Sequence, residues 1–449
     1  MSALIWIAAV AALAVAAART LRVVSRVAAG YKSKVLCTGT FVSQRTMDPA
    51  RDPQIRDDSY RILRPFTARI DHQTQSVTTS LFGLMPRTAV VRDGLGATLL
   101  VDGRPPARLG VAPALRPRVA DDGWRRSAGN AALQQLVDAA FDEPNHTRRR
   151  RTQAVVVVQD GCVVAERYSS GITADMPLPG WSMAKSVLNG LVGVLVGEGR
   201  LTLDGRELMP EWQAPDPRAS VSLDDLLRMR SGLRFSEQYG WPWSDVLHML
   251  YASDDMAAYA ASRPLAAEPG AVWQYASGTT NILSRIVRRV VGDEHYWQWP
   301  SRALFDRIHM RSAQLETDAS GTFVCSSYMV ATACDWARYG QLWLDNGAVG
   351  SAQVLTPDWV RYSTTPTTQS PNGRYGAHWW LGLNPDIGGE SAAAQAIAPD
   401  TYFAVGHEGQ TITVMPSRRA VVVRLGASIY IDAWNHAEFT ARLQDALPA

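Results

Sequence analysis

Lysine is nearly missing from this sequence. Of 45 lysines and arginines, only Lys32, Lys34 and Lys185 are lysines. Arginine cannot release its proton near neutral pH, so any side chain that must act as a neutral amine is one of those three. Cysteine is scarce as well: Cys37, Cys162, Cys325 and Cys334 are too few for a disulfide framework in a 449-residue chain. A bridge between Cys325 and Cys334 stays open at this point. No C-x-x-C occurs, and the eight histidines show no H-E-x-x-H or other ligand spacing, so neither a metal site nor a cofactor is expected. The net charge of +3, part of it from the N-terminus, leaves no basic field of the size nucleic acid requires. Arg148 to Arg151 read as a solvated connecting loop. There is no internal repeat and no low-complexity segment.

What is present is the composition of a globular protein, 46% hydrophobic and 19% charged. The length allows one large domain with extensions. Residues 3–18, ALIWIAAVAALAVAAA, carry no charge, and Arg19, Arg22, Arg26, Lys32 and Lys34 follow. This run suits either a membrane span or a signal segment, and Ala14-Val15-Ala16 would allow cleavage. Residues 1–35 are therefore expected to associate with a membrane. An inner-membrane anchor carrying an extracytoplasmic, periplasmic body is one arrangement. Positive charges placed only after the run favour the opposite side, so orientation stays open.

Residues 36–125 hold short strand-like pieces such as TAVVRDG and ATLLVDG and read as a β-containing extension. A helix pattern starts near Asn130 (AALQQLVDAAFDE). Two strand candidates follow, AVVVVQDG and CVVAERYSSG, joined at Asp160-Gly161, a favoured hairpin turn. Near the end, TYFAVGHEG, QTITVMP and AVVVRLGAS read as strands, and WNHAEFTARLQDAL as a closing amphipathic helix. Helical runs fill the middle, among them SMAKSVLNGLVGVLVGEG, SLDDLLRMRSG, WSDVLHMLYAS, TTNILSRIVRRVVG and ACDWARYGQLWLDNG. The expected class is α/β (α+β): an antiparallel sheet flanked by terminal helices, with a large inserted α-helical domain, across residues 126–449.

Lys185 lies in GWSMAKSVLNG, three residues after Ser182, at the start of a helix apolar almost all round. The i, i+3 spacing puts both side chains on one face. At the helix N-terminus the serine has free backbone N–H groups beside it, useful to a developing anion. A desolvated lysine one turn away has a lowered pKa and can take the serine proton.

These residues resemble the serine β-lactamase and penicillin-binding-protein superfamily, in its class C-like branch of esterases, D-aminopeptidases and 6-aminohexanoate-dimer hydrolases. Ser182-Met183-Ala184-Lys185 is similar to S-x-x-K. Tyr275-Ala276-Ser277 is similar to Y-x-N/Y-x-S, and His407-Glu408-Gly409 to K/H-x-G. LLRMRSGL, residues 226–233, resembles the accessory LL-x-x-x-SGL. The likeness covers roughly residues 126–449. It implies Ser182 as nucleophile, Lys185 as acceptor of its proton and Tyr275 as relay to the leaving group. A cation beside Tyr275 would favour its phenolate. It further implies an oxyanion site between the backbone N–H groups of Ser182 and Gln410. Substrate contacts would come from Ser277, His407, Gly409, on a strand that must approach closely, and Trp181. The implied partner is a small ester or amide, with no metal.

Ser277 stands where β-lactamases of this branch have asparagine, and His407 where lysine is usual. Both departures point away from antibiotic hydrolysis and toward esterases and aminohexanoate-oligomer hydrolases. Trp181, Trp241, Trp243, Trp273, Trp379 and Trp380 are candidate walls of an apolar groove. GWSMA also approximates the G-x-S-x-G elbow of α/β-hydrolases, but the strands here fall at the two ends of the body. A membrane-tethered, non-catalytic penicillin-binding-like or sensor protein is the reading from another class.

Overall fold

The structure, a computed structural model, describes residues 2–50, 52–56, 58–101, 106–107, 122–127 and 130–448. Part of the extension, including Asp102 and Gly103 of ATLLVDG, lies outside them. Helix α1 (Ser2–Cys37) is unbroken, as its alanine-rich sequence favours. Its side chains are exposed from residue 5 to residue 22 and turn inward from Val23 onward. The helix is long and apolar enough to cross a membrane.

The inward part of α1 lies on a four-stranded antiparallel sheet, β1 (Phe66–Asp71), β2 (Ser76–Leu81), β3 (Leu84–Arg92) and β4 (Gly96–Leu100), in that order. A Cβ at Gly30 would fall 2.7 Å from the Tyr251 carbonyl oxygen, so the small residue permits close packing. Buried Lys34 pairs with buried Glu316, which also accepts from Thr38 Oγ1 and, at 2.7 Å, from the Ala97 N–H. One hydrophobic core runs from Ala28 and Leu99 into the helical middle of the chain.

The larger sheet begins with β5 (Arg125–Arg126), β6 (Thr152–Gln159) and β7 (Cys162–Tyr168). Before β6 comes α2 (Ala131–Ala139), capped by Asn130 accepting from the Leu133 N–H at 2.6 Å. The sheet finishes with β8 (Tyr402–Gly406), β9 (Gln410–Met415) and β10 (Ala420–Gly426), in the order β8-β9-β10-β6-β7-β5. The sheet is antiparallel as expected, apart from the short parallel pair β5–β7 at its edge. Period-two geometry explains the all-valine run of β6. Ala154, Val156 and Val158 face the large core, while Val155 and Val157 face a smaller one built with α2 and α7 (His436–Ala446).

Between β7 and β8 lie α3 (Met183–Gly197), α4 (Asp245–Ala252), α5 (Ser277–Val291) and α6 (Ala333–Leu344). This is the helical insertion expected from the sequence. Cys325 and Cys334 are both buried free thiols, which closes the question of a bridge. Arg148 to Arg151 lie in a loop, with Arg148 ion-paired to Asp432.

Removing one member of a buried pair leaves its partner's charge uncompensated, typically at a cost of about 3–5 kcal/mol. Glu316→Leu should therefore lower the thermal midpoint more than Lys34→Met combined with Glu316→Leu, which leaves no charge behind. A double variant less stable than either single one would show that the pair is not what fastens α1 to the body.

Candidate active site

Three chain segments meet around Ser182. The first is the start of α3, where Ser182 is the N-cap residue. Trp181 before it adopts φ +48°, a left-handed conformation uncommon for a bulky residue and typical of places where surrounding structure imposes it. Gly180 is fixed by crowding, since a Cβ there would lie 2.3 Å from the Trp336 ring.

Lys185 is 2% exposed and points back along its own face, as the spacing requires. Its Nζ donates to Ser182 Oγ at 3.0 Å, to Ser277 Oγ at 3.1 Å and to the Ser326 carbonyl at 2.8 Å. Burial pushes its pKa down to about 8, while the charge of Glu237 works in the opposite direction. All three of its partners can accept a hydrogen bond, so the group is satisfied without an adjacent carboxylate.

The second segment carries Tyr275 and opens α5. The Lys185 ammonium lies 4.9 Å from the centroid of the Tyr275 ring. Burial, and then the charge of Glu237, raise the Tyr275 hydroxyl above its ordinary range; a hydrogen bond with Ser182 works the other way. Tyr275 is therefore held protonated, contrary to the phenolate expected from a neighbouring cation. Desolvation outweighs that attraction. Ser277 is fully buried, and its Oγ accepts from Lys185 while donating to Glu237 Oε1 at 2.5 Å.

The third segment is the turn His407–Gly409 between β8 and β9, so the H-x-G element sits on a turn rather than within a strand. A Cβ at Gly406 would lie 2.2 Å from the Gly180 carbonyl oxygen; this contact sets Gln410 beside the start of α3. Gly409 has φ +81°, and a Cβ there would be 2.3 Å from Arg424 Nη1. Turn geometry and the arginine beneath both require glycine at this position. The His407 ring meets Trp181 edge-on at 5.5 Å and stacks on Tyr239 at 5.4 Å. Burial lowers the His407 pKa, leaving it neutral despite Glu408.

Several contributors are not apparent in the motifs. Glu237 accepts from the Ser277 N–H at 2.9 Å and is the charge felt by both Lys185 and Tyr275. Tyr60, from the N-terminal extension, shares a 2.9 Å hydrogen bond with His407 Nε2, and Gln54 Nε2 donates to Glu408 at 2.8 Å. His378, whose pKa burial depresses to about 3, donates from Nδ1 to the Lys185 carbonyl at 3.0 Å. Buried Arg424 donates to the Glu408 and Gly409 carbonyls. Its one visible signal is a charge inside the apolar strand AVVVRLG. The tryptophans divide: Trp380 lies 5.5 Å from Tyr275, with Trp273 against it, whereas Trp379 is buried with Tyr339 and Trp343. Trp241 and Trp243 are largely exposed.

The family model described as Beta-lactamase matches residues 137–431. The chain belongs to the beta-lactamase family. A curated relative, the 6-aminohexanoate-dimer hydrolase of Paenarthrobacter ureafaciens, is 28% identical over 301 residues, 62% of this chain and 72% of the relative. Among solved structures, a candidate 6-aminohexanoate-dimer hydrolase from Bacillus anthracis matches with a TM-score of 0.57 at 20% identity. It covers 88% of this chain and 94% of its own, so the shared fold reaches into the N-terminal extension. A family VIII carboxylesterase matches with a TM-score of 0.53 at 15% identity, over 72% of this chain and 98% of its own. The chain is thus a β-lactamase-fold hydrolase by family.

Glu237 raises the Lys185 pKa, so removing its charge with the isosteric glutamine, which retains one of the two acceptor oxygens, must lower that pKa further. In Glu237→Gln the acid limb of the kcat/KM profile should shift to lower pH. An unmoved or raised limb would mean that the group governing this limb does not feel Glu237.

Proposed function

We propose that the chain is a serine hydrolase that forms an acyl-enzyme on Ser182 and cleaves small esters or amides, including amides of the aminohexanoate or D-peptide type. The observation that carries this reading is the 3.0 Å contact between Ser182 Oγ and a buried lysine whose pKa is about 8. A substantial fraction of such an amine is neutral near pH 8 and free to accept a proton.

In this reading the neutral Lys185 amine accepts the Ser182 proton as Oγ bonds to the substrate carbonyl carbon. The negative charge that develops on the carbonyl oxygen is met by the backbone N–H groups of Ser182 and Gln410. Tyr275, protonated, gives its proton to the departing amine or alkoxide as the carbonyl carbon's bond to it breaks. The Lys185 ammonium then restores the tyrosine proton. In the second half, water adds its hydroxyl to the acyl carbon, and its remaining proton returns to Ser182 Oγ as the ester breaks. Glu237 and Ser277 position Lys185, and Trp181 and His407 line the acyl or leaving-group side. A neutral His407, already bonded to Tyr60, offers no charge to a substrate carboxylate, which favours esters and amides over β-lactams.

Residues 126–449 would carry this chemistry, residues 36–125 would wall the site through Tyr60 and Gln54, and residues 1–35 would anchor the chain in a membrane. The apolar stretch of α1 supports the anchor: its sixteen charge-free residues 3–18, at 1.5 Å each, reach about 24 Å, most of a bilayer's hydrocarbon core of about 30 Å, and Arg19 and Arg22 follow.

A panel of p-nitrophenyl esters, aminohexanoate dimer, D-alanyl amides and nitrocefin tests the reading on wild type and Ser182→Ala. Turnover of an ester or amide is expected to exceed that of nitrocefin and to fall by several powers of ten in the variant. A Ser182→Ala protein retaining more than about a tenth of wild-type turnover would overturn the serine mechanism.

A further inference from the structure

Several large apolar side chains near the place where α1 leaves the body are exposed. Phe41, just past the C-terminal end of α1, meets His72 in the β1–β2 turn at 5.4 Å, and Ser33 Oγ donates to the Arg87 carbonyl midway along β3. The β2–β3 turn lies at the opposite end of β2, so Phe82, Gly83 and Leu84 fall at the end where α1 emerges. On another side α4 runs beside α1 in the same direction. The Tyr251 carbonyl lies against Gly30, and one turn earlier burial, with Arg26 next, depresses the pKa of His248. Trp241 and Trp243 lie in the turn that leads into the N-terminal end of α4, the end toward which α1 emerges.

These side chains are unusually open. Phe82 is 78% exposed, Leu84 65%, Trp241 55% and Trp243 45%. The two tryptophans lie 4.9 Å apart. Phe82 and Gly83 are the central residues of a two-residue hairpin turn with φ +50° and +81°, positions where asparagine and glycine sit with less strain than phenylalanine. Arg19, Arg22 and Arg26 follow the apolar run of the same helix, as basic residues do at a headgroup layer.

We propose that the body itself rests on the bilayer through this face, with Phe82, Leu84, Trp241 and Trp243 in the interfacial layer around the exit of α1. The inference rests on the anchor reading of residues 1–35 and deepens it. The occupant is lipid because the face is continuous with the apolar helix, and because tryptophan beside arginine is the chemistry of a membrane–water boundary. The loop that supplies Trp241 and Trp243 also supplies Glu237 and Tyr239, so the rim of the candidate site then borders the headgroups.

Site-specific fluorescence on the full-length chain tests this. Cys162→Ser removes the one cysteine that is not buried; Phe82→Cys, Trp241→Cys or Asp160→Cys is then labelled with the fluorophore NBD. Asp160 is a control, in the turn at the end of the six-stranded sheet remote from Gln410. Each protein is reconstituted into vesicles of phosphatidylethanolamine and phosphatidylglycerol with or without doxyl-labelled lipid. Labels at 82 and 241 should lose emission to the doxyl groups while the label at 160 does not. Should the chain float with vesicles but labels 82 and 241 behave like 160, the anchor stands and this inference falls. Should it fail to float, both fall. Labels at 82 or 241 that ignore doxyl lipid yet self-quench as protein density rises would mean that a second copy covers the face, which also overturns it. Circular dichroism of each labelled protein separates loss of contact from loss of fold.

Discussion

Burying the Lys185 amine is the constraint on which the rest of the site depends. A lysine with a pKa of about 8 instead of its usual value near 10.4 favours the neutral form by about 3 kcal/mol relative to water. The protein sustains this by giving Nζ only neutral acceptors, two hydroxyls and a carbonyl, and by keeping Glu237 one residue removed, on Ser277. A carboxylate in direct contact would fix the proton on the amine, whereas none nearby would leave the ammonium hard to form. Ser277 is thus the spacer that grades Glu237's influence. The left-handed Trp181, the crowded Gly180 and the His378 brace on the Lys185 carbonyl hold the helix start in place around this arrangement.

The N-terminal extension is joined to the same construction. Lys34, Thr38 and Glu316 tie α1 into the body, and Tyr60 and Gln54 reach the His407–Gly409 turn from outside. Arg424 holds that turn from within, through the Glu408 and Gly409 carbonyls. His407 is consequently fixed on three sides, by Tyr60, Tyr239 and Trp181. Its neutrality follows from burial, which outweighs the opposing charge of Glu408.

The local elements were legible because their signals are local. Asp160-Gly161 marks its hairpin, Asn130 caps its helix, and the alternation of core faces along β6 follows from period two. The pairing of Ser182 with Lys185 was legible because one helical turn carries it and the scarcity of lysine singled that residue out, whereas Tyr275 was marked only by the resemblance of Tyr275-Ala276-Ser277 to a family motif. Glu237, Tyr60, His378 and Arg424 were not, because contacts far apart in sequence place them; Tyr60 and His407 are 347 residues apart. The protonation state of Tyr275 was misread for the same reason. The neighbouring cation is visible in the motif, but the depth of burial and the charge of Glu237 belong to the folded chain. The H-x-G turn shows the same limit at the level of the backbone.

With three lysines in the chain, the central claim can be tested directly by nuclear magnetic resonance of protein labelled with carbon-13 at the lysine side chains. Three side-chain signals are expected, and the one absent from Lys185→Arg belongs to Lys185. The account predicts that this signal titrates with a midpoint near 8 while the fold persists. A Lys185 signal that stays fully protonated up to the ordinary lysine range near 10.4 would contradict it, because no neutral amine would then stand beside Ser182 at working pH.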